Sequence, residues 1–145
     1  MHACTGMDGV AFEEYVAKLY KDAGYWFVQR TPQPKRTMLG KNLGQVDLVY
    51  FDPGRQSYIY CECKYRSQSK VTRKDVVYFL DVLQRRHHAP AHAEMITNTA
   101  YDAGAVDAAR STGLRLLRVQ DIERETRPGL IDIIMSEVRR WIRKT

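Results

Sequence analysis

The chain has 145 residues, of which 44% are hydrophobic, and this suits one globular domain with a single core rather than two domains. The formal net charge is +6, from 23 Lys and Arg against 17 Asp and Glu, so the composition is compatible with a polyanionic partner such as nucleic acid. No apolar run reaches the ~18 residues of a membrane span, and the opening residues MHACTGMDG lack the layout of a signal peptide, so we expect a soluble, cytoplasmic protein with no membrane association.

The first half of the chain predicts one helix followed by three strands. Apolar residues at helical spacing, with Gly24 after them, predict a helix over residues 8–23. Aromatic and β-branched residues predict strands over residues 25–31, 45–51 and 57–65. The turn Asp52-Pro-Gly-Arg55 is expected to fold the third strand back antiparallel onto the second.

The second half alternates helices and strands. Thr72 is a candidate N-cap for a helix over residues 73–88. A strand at 93–99, a helix at 102–111 and a strand at 114–119 suggest a crossover unit with parallel pairing. Residues 129–144 are predicted to form a last amphipathic helix.

The strand with the sequence YIYCECKY, residues 58–65, carries two charged side chains near its end. Alternation places Glu62 and Lys64 on one face, together with Tyr58 and Tyr60, and the hairpin can bring Asp47 near Glu62. Asp47 is flanked by apolar residues, where a lone carboxylate is costly without a cationic partner. Mg²⁺ meets that demand because it takes oxygen ligands, and the lysine can then hold the attacking water or steady the phosphate charge.

A predicted helix that contains GVAFE at residues 9–13 is followed by Asp47 and then by Glu62-Cys63-Lys64. With these residues in this order, the sequence resembles the PD-(D/E)XK nuclease superfamily of restriction endonucleases and Holliday junction resolvases. The stretch GVAFEEYVAKLYKDAGY resembles the opening helix of Mrr-like restriction endonucleases. The run EMITNTAYDAGAVDAARSTGLRLLRVQDI resembles their strand, helix and strand after the active site. The resemblance implies an α/β restriction endonuclease-like fold, a mixed central β-sheet flanked by α-helices. It implies one nuclease domain over residues 1–145, with its core at 9–122 and the C-terminal amphipathic helix at 129–144.

The resemblance also implies roles for individual residues. Asp47 and Glu62 correspond to the metal ligands, and Lys64 corresponds to the catalytic lysine. Glu13 corresponds to the helix carboxylate that completes such sites; Glu14 competes for this position, but Glu13 follows a phenylalanine as in the family's F-E pattern. The implied activity is that of a Mg²⁺-dependent endodeoxyribonuclease, with Mn²⁺ as a substitute ion and DNA as the partner. Valine at position 46 replaces the proline of the motif, at a position that varies within the superfamily.

Basic residues outside this set are candidate DNA contacts. The loop over residues 32–44 is predicted to contact DNA or a second subunit, and a homodimer is compatible with that prediction. The basic residues that follow Lys64 either contact a phosphate backbone or are solvated surface charges without a partner. The candidates are Lys35, Arg36, Lys41, Arg66, Lys70, Arg73 and Lys74.

Several alternatives stay open. A Holliday junction resolvase fits the same resemblance, and a catalytically idle DNA-binding module fits the fold, although the intact set of carboxylates and lysine argues against the idle module. Cys61 and Cys63 with a histidine at position 87, 88 or 92 are a weak zinc hypothesis, and packed core cysteines are favoured instead. Tyr58 and Tyr60 either stack near a substrate or fill space under a helix.

Overall fold

The computed structural model describes residues 8–31 and 45–125 and the helical backbone of residues 128–144. The predicted DNA contacts Lys35, Arg36 and Lys41 therefore lie outside the described residues. The strands are β1 Trp26–Arg30, β2 Leu48–Asp52, β3 Ser57–Lys64, β4 Ala93–Thr97 and β5 Arg115–Arg118. The helices are α1 Gly9–Asp22, α2 Arg73–Arg85, α3 Ala103–Arg110, α4 Val119–Glu125 and α5 Pro128–Lys144.

The five strands form one mixed sheet in the order β1-β2-β3-β4-β5. β1, β2 and β3 pair antiparallel, whereas β3, β4 and β5 pair parallel. The side chain of Asp52 closes the β2-β3 turn, because its Oδ1 accepts hydrogen bonds from the backbone N–H groups of Gly54 (2.9 Å) and Arg55 (3.3 Å). The predicted hairpin, the parallel crossover and the mixed α/β architecture are thus confirmed.

Local side-chain contacts explain where the helices begin. Asp8 caps α1 by accepting a hydrogen bond from Ala11 N at 2.7 Å, and Asp102 caps α3 in the same way. Thr72 and Asp75 form a reciprocal capping box at the start of α2. Gly24 follows α1 with a φ of +93°, a conformation that glycine adopts without steric cost.

Each face of the sheet is covered by a different pair of helices. The α1 face carries Ile59, Cys61 and Cys63 and packs against α1 and α4. The α2 face carries Met95 and Ala93 and packs against α2 and α3. Along β3 the residues of the α1 face are buried, whereas those of the α2 face are partly or fully exposed. The predicted alternation of this strand is therefore confirmed.

Several boundaries differ from the prediction, and β4, for example, ends at Thr97 rather than at residue 99. α2 ends at Arg85 rather than at residue 88, because His87 takes a φ of +59°, which no α-helix allows. β2 begins at Leu48, so Asp47 occupies a bend just before the strand. Val119 begins α4 instead of ending β5. Within the part of the chain that the structure describes, no helix is both long and apolar enough to cross a bilayer.

Candidate active site

The first part of the site lies where β3 ends and β2 begins. Asp47 Oδ2 accepts a hydrogen bond from the backbone N–H of Cys63 at 2.9 Å. Lys64 Nζ lies 3.9 Å from Glu62 Oε1, and the side chains of these two residues are 23% and 13% exposed. The hairpin thus brings together the three predicted residues Asp47, Glu62 and Lys64.

The helix α1 contributes a third carboxylate. Glu13 is buried, and its Oε2 pairs with Arg30 NH2 at 3.1 Å. The side chain of Glu14 is 62% exposed and pairs with the other terminal nitrogen of the same arginine, NH1, at 3.2 Å. The charge of Asp47 acts on Glu13 and contributes to raising its pKa. Of the two competing glutamates, the structure therefore places Glu13 beside Asp47.

The carboxylates disfavour one another's ionised forms. Burial raises the pKa of Glu62 well above its usual value, and the negative charge of Asp47 and a hydrogen bond to it raise it further, while Lys64 opposes the shift. Burial and the charge of Asp47 also raise the pKa of Glu13, against the lowering effect of Arg30. Glu62 and Glu13 therefore retain protons at a higher pH than isolated glutamates do, and a bound cation would relieve the repulsion that Asp47 exerts on both.

This donor set fits a hard divalent cation. No group of three or more His, Cys, Asp and Glu side chains within residues 8–31 and 45–125 is close enough to form a metal site by itself. Mg²⁺ does not need one, because proteins usually bind it through one or two carboxylates, with water and substrate phosphate completing its shell. Asp47 and Glu62 are two carboxylates joined by a hydrogen bond, and Glu13 lies within electrostatic reach of both.

Arg66, a predicted DNA contact, makes several contacts within the protein. Its guanidinium pairs with Asp75 at 2.9 Å, in the capping box of α2. Its backbone N–H donates to Asn98 Oδ1 at 2.8 Å, and its carbonyl accepts from Asn98 Nδ2 at 2.6 Å. The other three candidates in this cluster are exposed at the start of the helix and just before it: Lys70, Arg73 and Lys74.

The two cysteines of β3 belong to the core. Cys61 and Cys63 are buried thiols on the α1 face, and burial raises the pKa of Cys61 well above its usual value. His88 lies on the opposite face of the sheet, stacked on Tyr60 with ring centroids 3.6 Å apart. His87 and His92 are exposed. The structure therefore supports packed core cysteines rather than a zinc site.

Sequence patterns did not identify Arg30 or Glu94. Glu94 is 1% exposed on the α1 face, and its Oε1 accepts hydrogen bonds from the hydroxyls of Tyr20 and, at 2.6 Å, of Tyr50. Arg115 NH1 lies 3.9 Å from its other oxygen. Burial raises the pKa of Glu94, and the two tyrosine hydroxyls oppose the shift. A glutamate inside the apolar strand AEMIT was the one available signal for this buried cluster.

The mixed five-stranded sheet with helices on both faces is a restriction endonuclease-like fold. The sequence profile of the Mrr catalytic family, described as restriction endonuclease, matches residues 4–125, and the chain belongs to this family.

One solved structure is similar to the chain, and it bears on the fold alone. It is described as "Crystal Structure of Protein of Unknown Function AF1548", with a TM-score of 0.54 and 21% sequence identity. The match covers 73% of this chain and 55% of that one, so this chain spans little more than half of the other protein's length. A search of curated proteins found no significant match.

Proposed function

We propose that this domain is a divalent-metal-dependent DNA endonuclease, with Asp47 and Glu62 as metal ligands. The observation that supports the proposal is the placement of two buried glutamates, Glu62 and Glu13, next to Asp47 and beside Lys64. Mg²⁺ is the expected ion and Mn²⁺ its substitute, because the donor set is all oxygen. When bound, the ion would supply positive charge that stabilises the developing charge on the phosphate and favours deprotonation of water.

Lys64 is proposed to orient the nucleophile. Its side chain is partly exposed at the end of β3, and its ammonium lies close enough to Glu62 to be attracted without forming a short ion pair. Three donor hydrogens on a mobile stem can hold an attacking water while contacting a phosphate oxygen. We therefore assign to Lys64 the positioning of water and the neutralisation of phosphate charge.

Glu13 is proposed as the further carboxylate of the site. Arg30 fixes its orientation and lowers its pKa, so that Glu13 is ionised at a lower pH than burial beside Asp47 would otherwise allow. An ionised Glu13 can accept a hydrogen bond from water near the cation. Arg30 would therefore act as a positioning residue, through Glu13.

The proposal is tested by incubating the protein with supercoiled plasmid, linear duplex and a four-way junction, each with Mg²⁺, Mn²⁺ or EDTA. Lys64→Ala is the test variant, and Lys18→Ala, at an exposed lysine of α1, is the matched control. We expect cutting only with metal, a loss of roughly 10²- to 10⁴-fold in Lys64→Ala, and no loss in Lys18→Ala.

The outcomes separate the competing functions. Preferential cutting of the junction would make the domain a resolvase, whereas cutting of plasmid and duplex supports a restriction-type endonuclease. DNA binding in EDTA without cutting under any metal would make it a catalytically idle module. Cutting that persists in Lys64→Ala would contradict the assigned site.

A further inference from the structure

Four aromatic side chains form a continuous surface near the turn of the β2-β3 hairpin. We call Trp26, Phe27, Phe51 and Tyr58 the aromatic surface. The rings of Trp26 and Phe51 are stacked, with centroids 5.8 Å apart and planes at 25°. Phe51 meets Tyr58 edge to face at 5.2 Å, and Phe27 meets Trp26 in the same manner at 6.4 Å. The surface is thus one array of rings in mutual contact.

Much of this array faces solvent. Phe27 is 67% exposed, Trp26 53% and Tyr58 48%. Single exposed apolar residues are common on protein surfaces, but a contiguous group of large aromatic rings commonly marks a binding surface.

The backbone of β1 is distorted where it presents these rings. The register with β2 shifts between Trp26 and Gln29, which marks a bulge, and within it Phe27 has a φ of +53°. A bulky side chain adopts this conformation only at an energetic cost. Bulges often re-aim a side chain beside a functional site, and here the bulge directs the Phe27 ring outward.

The aromatic surface is continuous with the candidate active site. Trp26 pairs with Phe51 and Phe51 pairs with Tyr58, so all three side chains lie on the α2 face of the sheet. Glu62 and Lys64 lie on this same face, further along β3. From Tyr58 to Glu62 the strand advances by four residues, or about 13 Å, which equals about four stacked nucleotides at ~3.4 Å each.

We infer that the aromatic surface stacks against unpaired bases of the DNA strand that is cut. The inference rests on the proposed nuclease function and gives its substrate class as DNA with unpaired bases near the scissile phosphate, such as a fork or a flap. Aromatic rings bind unpaired bases of any sequence, because every base has a π face.

The position and charge of the surface favour a nucleic acid over a protein partner. The formal net charge is +6, and exposed Arg86 and His87 directly precede His88, which stacks on Tyr60 between the aromatic surface and Glu62. Bases stacked on the rings, with phosphates near Arg86, would follow one path toward the carboxylates. A second copy of the chain, paired through the edge strand β1, is the occupant that the test must exclude.

Binding is measured in EDTA, which prevents metal-dependent cutting, by fluorescence anisotropy of labelled DNA. The probes are a single-stranded 20-mer, a blunt duplex and a fork with two unpaired arms. Tyr58→Ala and Phe27→Ala remove rings, Tyr58→Phe keeps the ring, and Tyr78→Ala is the matched control at an exposed tyrosine of α2. Thermal melting checks that each variant folds.

A second readout reports on stacking itself. The chain has two tryptophans, so Trp141→Phe leaves Trp26 as the sole indole. We expect single-stranded and forked DNA to quench Trp26 fluorescence and the blunt duplex to leave it unchanged. The ring-removing variants should lose about 10- to 100-fold in affinity for DNA with unpaired bases, whereas Tyr58→Phe and Tyr78→Ala should not.

The result separates this inference from the proposed function. Equal loss of affinity for duplex and unpaired DNA, or no loss with either, would overturn the inference, even if cutting is metal-dependent and lost in Lys64→Ala. Quenching by unpaired bases without any cutting would support the surface while refuting the nuclease. A dimer in sedimentation analysis that Trp26→Ala converts to monomer, with DNA affinity unchanged, would also overturn the inference.

Discussion

Asp47 Oδ2 accepts a hydrogen bond from the backbone N–H of Cys63, and Cys63 stands between Glu62 and Lys64. One contact therefore joins the bend before β2 to the part of β3 that carries the two charged side chains. The bond also fixes the position of Asp47 relative to Glu62.

The two glutamates that share Arg30 should differ in their effect on activity. Glu13→Gln and Glu14→Gln each remove one negative charge that pairs with Arg30, but only Glu13 is buried beside Asp47. We expect Glu13→Gln to lower the rate of DNA cutting by about 10- to 100-fold and Glu14→Gln to leave it close to wild type. The measurement is the initial rate of plasmid nicking at saturating Mg²⁺. Equal losses in the two variants would exclude Glu13 as a member of the site.

Arg30→Met should shift the pH dependence of cutting. Arg30 lowers the pKa of Glu13, so its removal raises that pKa, and Glu13 then ionises only at higher pH. The acidic limb of the rate profile should move to higher pH, and part of the lost activity should return as the pH is raised. Nicking rates across the pH range test this expectation. A uniform loss at every pH would instead indicate a structural role for Arg30.

The sequence predicted the parts of the site that depend on local order. Alternation along β3 placed Glu62 and Lys64 on one face, and the turn residues after Asp52 fixed the hairpin that brings in Asp47. The contact of Arg30 with Glu13 was not predictable, because it depends on how β1 lies against α1, which no short-range pattern encodes. α2 ends before His87, which has a positive φ, and the next residue, His88, stacks on Tyr60; this contact with β3 is one that no local pattern reports. α4 has only seven residues, too few to show helical periodicity.

Glu94 should make stability depend on pH. Its pKa is raised in the folded state, so the stabilisation by its protonated form is fully present below the unfolded pKa, about 4.3, and is lost as the pH rises through the folded pKa. Glu94→Gln keeps a carbonyl oxygen that can accept from Tyr20 and Tyr50 but cannot ionise. We expect the variant to gain stability relative to wild type as the pH is raised.

Urea unfolding at about pH 4 and about pH 8 measures this change. Glu137→Gln, at an exposed glutamate of α5, is the matched control and should change little relative to wild type over the same range. A variant that gains no stability relative to wild type between the two pH values would contradict the buried, destabilised carboxylate.

Removing Arg66 should affect stability, whereas removing Lys74 should affect DNA binding. Arg66→Ala removes the ion pair with Asp75 in the capping box of α2, and we expect it to lower the free energy of unfolding by about 1 kcal/mol. Lys74→Ala at an exposed position should leave stability unchanged, weaken DNA binding and reduce the salt slope by about one unit. Thermal or urea unfolding and salt-dependent binding distinguish the two effects. Loss of stability in Lys74→Ala, with weakened DNA binding but unchanged stability in Arg66→Ala, would contradict these two roles.

The most direct test of the proposed site is Mg²⁺-dependent nicking of plasmid by the wild type and by Asp47→Asn. Asparagine is nearly the same size as aspartate and can still accept the hydrogen bond from Cys63, so the variant is expected to fold while losing the charge that binds the cation. If Asp47 binds the catalytic metal, the wild type will nick plasmid only with metal, Asp47→Asn will not nick it, and Mn²⁺ titration will show weakened binding in the variant. Metal-dependent nicking by Asp47→Asn at the wild-type rate, with unchanged Mn²⁺ affinity, would contradict the account.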